Sequence, residues 1–144
     1  MMNILLIGAP IRRNFGGPSL LMSTVTVLKK VIPNAKFVFL SPDPADSIVD
    51  PKEYGLERIV VLPRKNILNC ISVMVKEFKE VDVIIDIWGL MFSDQLGGGF
   101  IWRIFEGLHF LVGKSLRKRV IKYTADMGPF NNIWNRTLAK IYLN

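Results

Sequence analysis

Short, continuous apolar runs recur along this chain, and the segments between them carry helical periodicity. That alternation constrains the fold more than any single motif does. The runs are residues 3–9 (NILLIGA), 36–41, 58–62, 81–87 and 119–124. An uninterrupted β-rich run suits a strand covered on both faces, because a strand with one wet face alternates polar with apolar residues. Between the runs, Leu21, Val25, Leu28 and Ile32 share one face of segment 18–32, while Lys29 and Lys30 point away. Ile67, Ile71, Met74 and Phe78 do the same in 66–79. Segment 100–116 is apolar over most of its circumference, and 132–143 fits a final helix. The connection 42–57, with Pro42, Pro44 and Pro51, holds one short helix or none, yet is long enough for a parallel crossover.

Strands alternating with helices predict an α/β domain of the doubly wound kind. Its five-stranded parallel sheet is Rossmann- or flavodoxin-like, ordered 3-2-1-4-5, with the switch point beside the first strand. The 144 residues suit one domain, 1–144. Half of them are hydrophobic, enough for a sizeable core. Asp82 and Asp86 interrupt one long apolar stretch, and Arg103, Glu106 and His109 another, so neither reads as a membrane span. With no basic leader at the N-terminus, the expected location is cytoplasmic, the inner membrane face being a peripheral alternative. Cys70 is the lone cysteine, expected buried and inert. His109 is the lone histidine, which excludes two-histidine metal sites; it reads as a packed or surface residue.

Right-handed crossovers put every strand-to-helix loop on one rim. The first loop reads PIRRNFGG. Gly17 as N-cap and Pro18 at the first helical position would make a helix start whose N–H groups and dipole favour an anion, with Arg12 and Arg13 adding charge. The competing reading is a glycine turn with two solvated arginines. The loop matches neither the GxGxxG nor the P-loop pattern, so neither NAD nor ATP is supported. Arg64 and Lys65 follow the third strand on the same rim; Lys29, Lys30, Arg117, Lys118 and Arg119 belong to helix surfaces or the opposite rim. The net charge of +7 fits an anionic partner or a scattered surface excess. After the fourth strand, Asp86 is either hydrogen-bonded to loop amides or exposed at the site, because a buried carboxylate is costly unless paired. Asp94 follows in the loop, then Gly97, Gly98 and Gly99; Asp126, Gly128 and Pro129 close the rim. No nucleophile–histidine–acid set assembles, and the basic residues lack the aromatic interleaving of a single-strand binder, so no nucleic acid is expected.

Together these loops resemble the polysaccharide pyruvyl transferase family. The likeness is carried by Gly8-Ala9-Pro10 with Asn14-Phe15-Gly16-Gly17, by Asp82 to Gly89 with Asp94 beyond (compare DxxIxxGGxxxxD), and by Val120 to Thr124 with Gly128-Pro129-Phe130. The chain has Gly17 where the family commonly has Asp, and Trp88-Gly89 where it has a glycine pair. The resemblance covers the N-terminal half of the family's usual length. It implies one half of a GT-B-like architecture, with the second, donor-binding domain absent from this chain. It also implies transfer of pyruvyl from phosphoenolpyruvate to a sugar hydroxyl as a ketal. Phosphoenolpyruvate would be the donor substrate, with no cofactor. The acceptor would be a sugar or polysaccharide precursor, lipid-linked forms included. Asp94 would be the acid near the sugar hydroxyl, with Arg12, Arg13, Asn14, Gly16, Gly17 and Gly128 around the substrate. The isolated half is expected to be inactive. It is also expected to self-associate through partly exposed Trp134, Leu138, Ile141 and Leu143. A GT-B glycosyltransferase half and a non-catalytic sugar- or phosphate-binding module are the alternatives.

Overall fold

The apolar runs become strands of a single parallel ladder. The structure, a computed structural model, describes residues 1–12, 15–63, 66–91, 100–123, 126–127 and 131–143. Its strands are β1 (Asn3–Ile7), β2 (Lys36–Ser41), β3 (Arg58–Val61), β4 (Val83–Asp86), β5 (Leu90–Met91), β6 (Arg119–Lys122) and β7 (Asp126–Met127). Its α-helices are α1 (Gly16–Val31), α2 (Ile67–Lys79), α3 (Phe100–Ser115) and α4 (Ile133–Leu143). The main sheet has five strands, all parallel, in the order β3-β2-β1-β4-β6. This is the expected 3-2-1-4-5 order, with β6 as the fifth run.

The continuous runs are apolar because each face of the sheet has its own core. Ile4 and Leu6 of β1 pack with Phe37, Phe39 and Ile85 under Leu21 and Val25 of α1. Leu5 and Ile7 pack with Val38, Leu40 and Ile84 under Cys70, Met74 and Phe78 of α2 and Leu108 and Val112 of α3. Each such side chain contributes about 1.5–3 kcal/mol of transfer free energy. Cys70 is buried as expected. The helices thus leave the sheet on opposite faces on either side of the β1–β4 junction, the switch point of a doubly wound sheet. Gly8 marks the tightest spot there: a Cβ would come within 2.7 Å of Ile87 Cγ1, so only glycine lets the chain leaving β1 pass the end of β4.

Four local features depart from the sequence reading. The 42–57 connection forms two 3₁₀ turns, Pro44–Ile48 and Pro51–Tyr54, rather than one short helix or none. Each starts with an Asp whose carboxylate accepts an amide two residues on (Asp43 from Ala45, Asp50 from Lys52), followed by a proline that needs no N–H partner. Helix α1 starts at Gly16, with Phe15 in the N-cap position and no side-chain cap, so Gly17 is helical and Pro18 is the third helical residue. Ser19 Oγ donates to the Phe15 carbonyl at 2.9 Å, which draws the first turn in ahead of the proline. By contrast, Asn66 caps α2, accepting from the amides of Leu68 (2.9 Å) and Asn69 (3.2 Å). Strands β5 and β7 form a further two-stranded parallel sheet, with Leu90 opposite Asp126 and Met91 opposite Met127.

The fourth departure is in α4, which packs on α3 through Leu138, Ala139 and Tyr142 against Phe110, with Trp88 and Val120 alongside. Leu138 is therefore buried, contrary to expectation, while Trp134 (58% exposed) and Ile141 (52%) face out as expected. Buried residues Asn135, Leu138, Ala139 and Tyr142 share one side of the helix, which leaves Ile133, Trp134 and Ile141 on the other. No helix among the described residues is long and apolar enough to cross a membrane.

Candidate functional site

The loops leaving the carboxyl ends of the strands are held by two buried carboxylates. Asp46 lies in the first 3₁₀ turn and is fully buried. Its Oδ2 accepts the Ile11 amide at 2.9 Å and its Oδ1 the Arg12 amide at 3.1 Å, and the Ser41 hydroxyl at the end of β2 also donates to it. Ser41 Oγ in turn accepts the Asp43 amide at 3.1 Å. The loop after β1 is therefore fastened to the loop after β2 through one side chain. This fixes the backbone at Arg12 while its side chain is left exposed. A charge-assisted bond to each amide is among the stronger hydrogen bonds a loop can make. Asp46→Ala leaves two amides and a hydroxyl without this acceptor. It should lower stability by about 2 kcal/mol in urea titration, with the Ile11 and Arg12 amides losing hydrogen-exchange protection. A variant that matches the parent in both would remove this role.

Asp86 is the second. It ends β4, opposite Lys122 at the end of β6, and is fully buried. Its Oδ1 accepts the Trp88 amide at 2.7 Å and Lys122 Nζ at 3.0 Å, and its Oδ2 lies 2.9 Å from Nε2 of His109, itself buried in the middle of α3. Lys122 also donates to the Trp88 carbonyl. Burial pushes the Asp86 carboxyl up; the hydrogen bond and charge of His109, the charge of Lys122 and the Trp88 amide more than offset it, and the group sits below its ordinary value. Of the two readings open for Asp86, the hydrogen-bonded one is correct. His109, read as a packed or surface residue, is packed, with the acid as its partner. Asp86, His109, Lys122 and Trp88 bond one another, so this set braces the start of the loop after β4.

Of the residues expected at the site, Arg12, Gly16 and Gly17 lie among the described residues, at and just after the fastened first loop. Arg13, Asn14, Asp94 and Gly128 lie outside the described residues, as do Arg64, Lys65, Gly97, Gly98 and Gly99. Met91, three residues before Asp94, is paired with Met127, which directly precedes Gly128. The pairing joins the segment after β4 to the segment after β6, and Gly89 of the former lies beside Leu20 of α1. Main-chain donors at a helix start suit hydroxyl-rich or anionic ligands. Among the described residues, no three His, Cys, Asp or Glu side chains gather to hold a metal ion. No family model, curated protein or solved structure matches the chain.

Proposed function

We propose that this chain is the acceptor-side domain of an enzyme resembling the polysaccharide pyruvyl transferases, and that the rim beside the β1–β4 junction holds the sugar whose hydroxyl receives pyruvyl from phosphoenolpyruvate. One observation carries the reading: β1 and β4 are neighbours at the switch point of a doubly wound sheet, with helices leaving on opposite faces. Ligands of open α/β sheets bind in that crevice. The loops bearing the family-like segments leave from these two strands, and the pairing of β5 with β7 draws in the segment that leads to Gly128.

In this reading Asp94 accepts the proton of the attacking sugar hydroxyl, the work of a general base. Arg12 and Arg13 meet anionic groups of the substrate, and Asn14, Gly16, Gly17 and Gly128 shape the loops around it. The vinyl carbon of phosphoenolpyruvate gains a proton, the neighbouring carbon forms a bond to one sugar oxygen, and phosphate leaves as a second hydroxyl of the same sugar bonds to that carbon and gives up its proton, which closes the ketal. That balance requires cationic stabilisation of the leaving phosphate by the donor-binding domain. Positioning both reactants contributes about 7–11 kcal/mol to such a reaction, and one side of the cleft cannot supply it. The protein acts in the cytoplasm, on an acceptor that is free or lipid-linked.

The chain incubated with phosphoenolpyruvate and sugar acceptors should therefore release no phosphate and form no ketal. Turnover by the chain alone would overturn the half-enzyme reading. The exposed Ile133, Trp134 and Ile141 of α4 should meet in a second copy of the chain. Sedimentation velocity should show concentration-dependent association that Trp134→Glu weakens; a parent that stays monomeric at all concentrations would remove this contact.

A further inference from the structure

The positive charge of the chain is not spread evenly. Residues 107–143 hold seven Lys and Arg (Lys114, Arg117, Lys118, Arg119, Lys122, Arg136, Lys140) against one acid, Asp126, and so supply six of the chain's seven net charges. The first loop and its arginines, where charge was expected to gather, lie in the nearly neutral remainder. Three of the seven cations border one cleft. Lys114 in the last turn of α3, Lys118 in the following turn and Lys122 at the end of β6 line one cleft of about 280 Å³ with Val120, Phe110 and Tyr142.

Strand geometry explains why two of them border it, although their ammonium groups are held apart, that of Lys118 at the Val81 carbonyl before β4 and that of Lys122 at Asp86, which ends it. Lys118, Val120 and Lys122 are spaced by two, so all three point to the face of β6 that α3 covers. Among the described residues β6 is the last strand of the sheet, and the cleft opens to solvent on this face beside α3. Tyr142 of α4 closes the far wall, its ring seated on Gly107. Lys118 Nζ donates to the Val81 carbonyl at 2.8 Å, which holds the ammonium in place and uses one of its three protons. Lys122 is neutralised by Asp86, but among the described residues no carboxylate pairs with Lys114 or Lys118. The cleft keeps an excess of positive charge, held next to two aromatic walls.

We infer that this cleft is a binding site for a phosphate group carrying a small organic part, with the phosphate between Lys114 and Lys118 and the organic part against Phe110 and Tyr142. Ammonium groups bind phosphate as point charges, and two of them suit a dianion better than they suit a single carboxylate. The volume lies at the lower bound of small-ligand pockets, which suits a phosphomonoester. The same chemistry is presented by a free phosphomonoester and by the headgroup of an anionic lipid. The inference does not rest on the transferase reading, because the cleft faces outward from β6, with β4 between it and β1.

The test is an amide-resolved NMR titration of the full chain, at low ionic strength, with inorganic phosphate and with glycerol phosphate. Saturable shifts are expected at Gly113, Lys114, Lys118 and Val120, weakening as salt rises. Lys114→Gln, at an exposed position, should lower affinity about tenfold, and Lys114→Gln with Lys118→Gln further still; Lys76→Gln, on α2, should match the parent. The single variant keeps the test sound if loss of the Val81 contact unfolds the double one. Flotation with phosphatidylcholine vesicles, with and without phosphatidylglycerol, separates the sources. Phosphate shifts without flotation identify a soluble ligand, and flotation that needs phosphatidylglycerol and Lys114 identifies a lipid phosphate. Absence of both, or binding that Lys114→Gln leaves unchanged, overturns the site.

Discussion

Replacing Asp86 with alanine should cost about 3–5 kcal/mol of stability, the range for removing one member of a buried, hydrogen-bonded charge pair. The acid is fully buried, Lys122 has only 14% of its side chain exposed and His109 only 4%. Alanine takes from both their carboxylate, and from the Trp88 amide its acceptor. For a domain of this size the melting midpoint should fall by about 10 °C or more. Asp86→Asn keeps the shape and one acceptor oxygen, so it should cost less. Its dependence on pH is also fixed in sign. Because the folded carboxyl lies below its unfolded value, the charge contributes stability that is complete above the unfolded carboxyl range, about pH 4. That contribution fades as pH falls through the lower folded value. The urea midpoints of parent and Asp86→Asn should thus differ by a constant amount at neutral pH and converge in acid. A gap that stays constant as the pH is lowered into acid would mean that shape, not charge, makes the difference.

The second large effect is expected at Gly107. A Cβ there would overlap the ring of Tyr142, the residue that seats α4 on α3. The overlap reaches Cγ at the base of the ring, so rotating the ring alone does not clear it. Overpacking costs about 1–3 kcal/mol, occasionally more. Gly107→Val should reach or exceed the upper end, since helix α3 allows a branched residue little rotamer freedom. The loss should be local before it is global: amides of α4 exchange first, and the main sheet keeps its protection. Gly107→Val with Tyr142→Ala should recover part of the loss, because the smaller side chain makes room. If the double variant is less stable than the sum of the two single ones, the close approach is not what makes glycine necessary.

How much was legible in the chain follows from how local each signal is. The central strands showed themselves because both faces of the sheet are covered there, so runs such as NILLIGA are unbroken, whereas β6 at the edge is half-exposed. The strand order followed from the doubly wound pattern that alternating strands and helices imply. Strands β5 and β7 were hidden because two residues carry no period. The two 3₁₀ turns left a readable trace that was passed over, an Asp directly followed by proline at Asp43-Pro44 and again at Asp50-Pro51. Asp46 could not be found locally, since its partners Ile11 and Arg12 are 35 and 34 residues away. The contact of Asp86 with Lys122 was within reach: aligning the runs 83–86 and 119–122 in parallel sets the acid opposite the lysine. Its contact with His109 was not, because that depends on where α3 sits along the sheet. Leu138 was misassigned because α4 has apolar residues on both sides, and the sequence does not say which side meets α3.

The acceptor-site proposal is tested most directly by an amide-resolved NMR titration with sugar acceptors, read at the described rim residues. The account predicts saturable shifts at Arg12, Gly16 and Gly17 together with Leu90, Met91, Asp126 and Met127, and smaller ones at the Ile11 amide that Asp46 holds. Shifts confined to other faces of the molecule, or no binding by any acceptor, would contradict it.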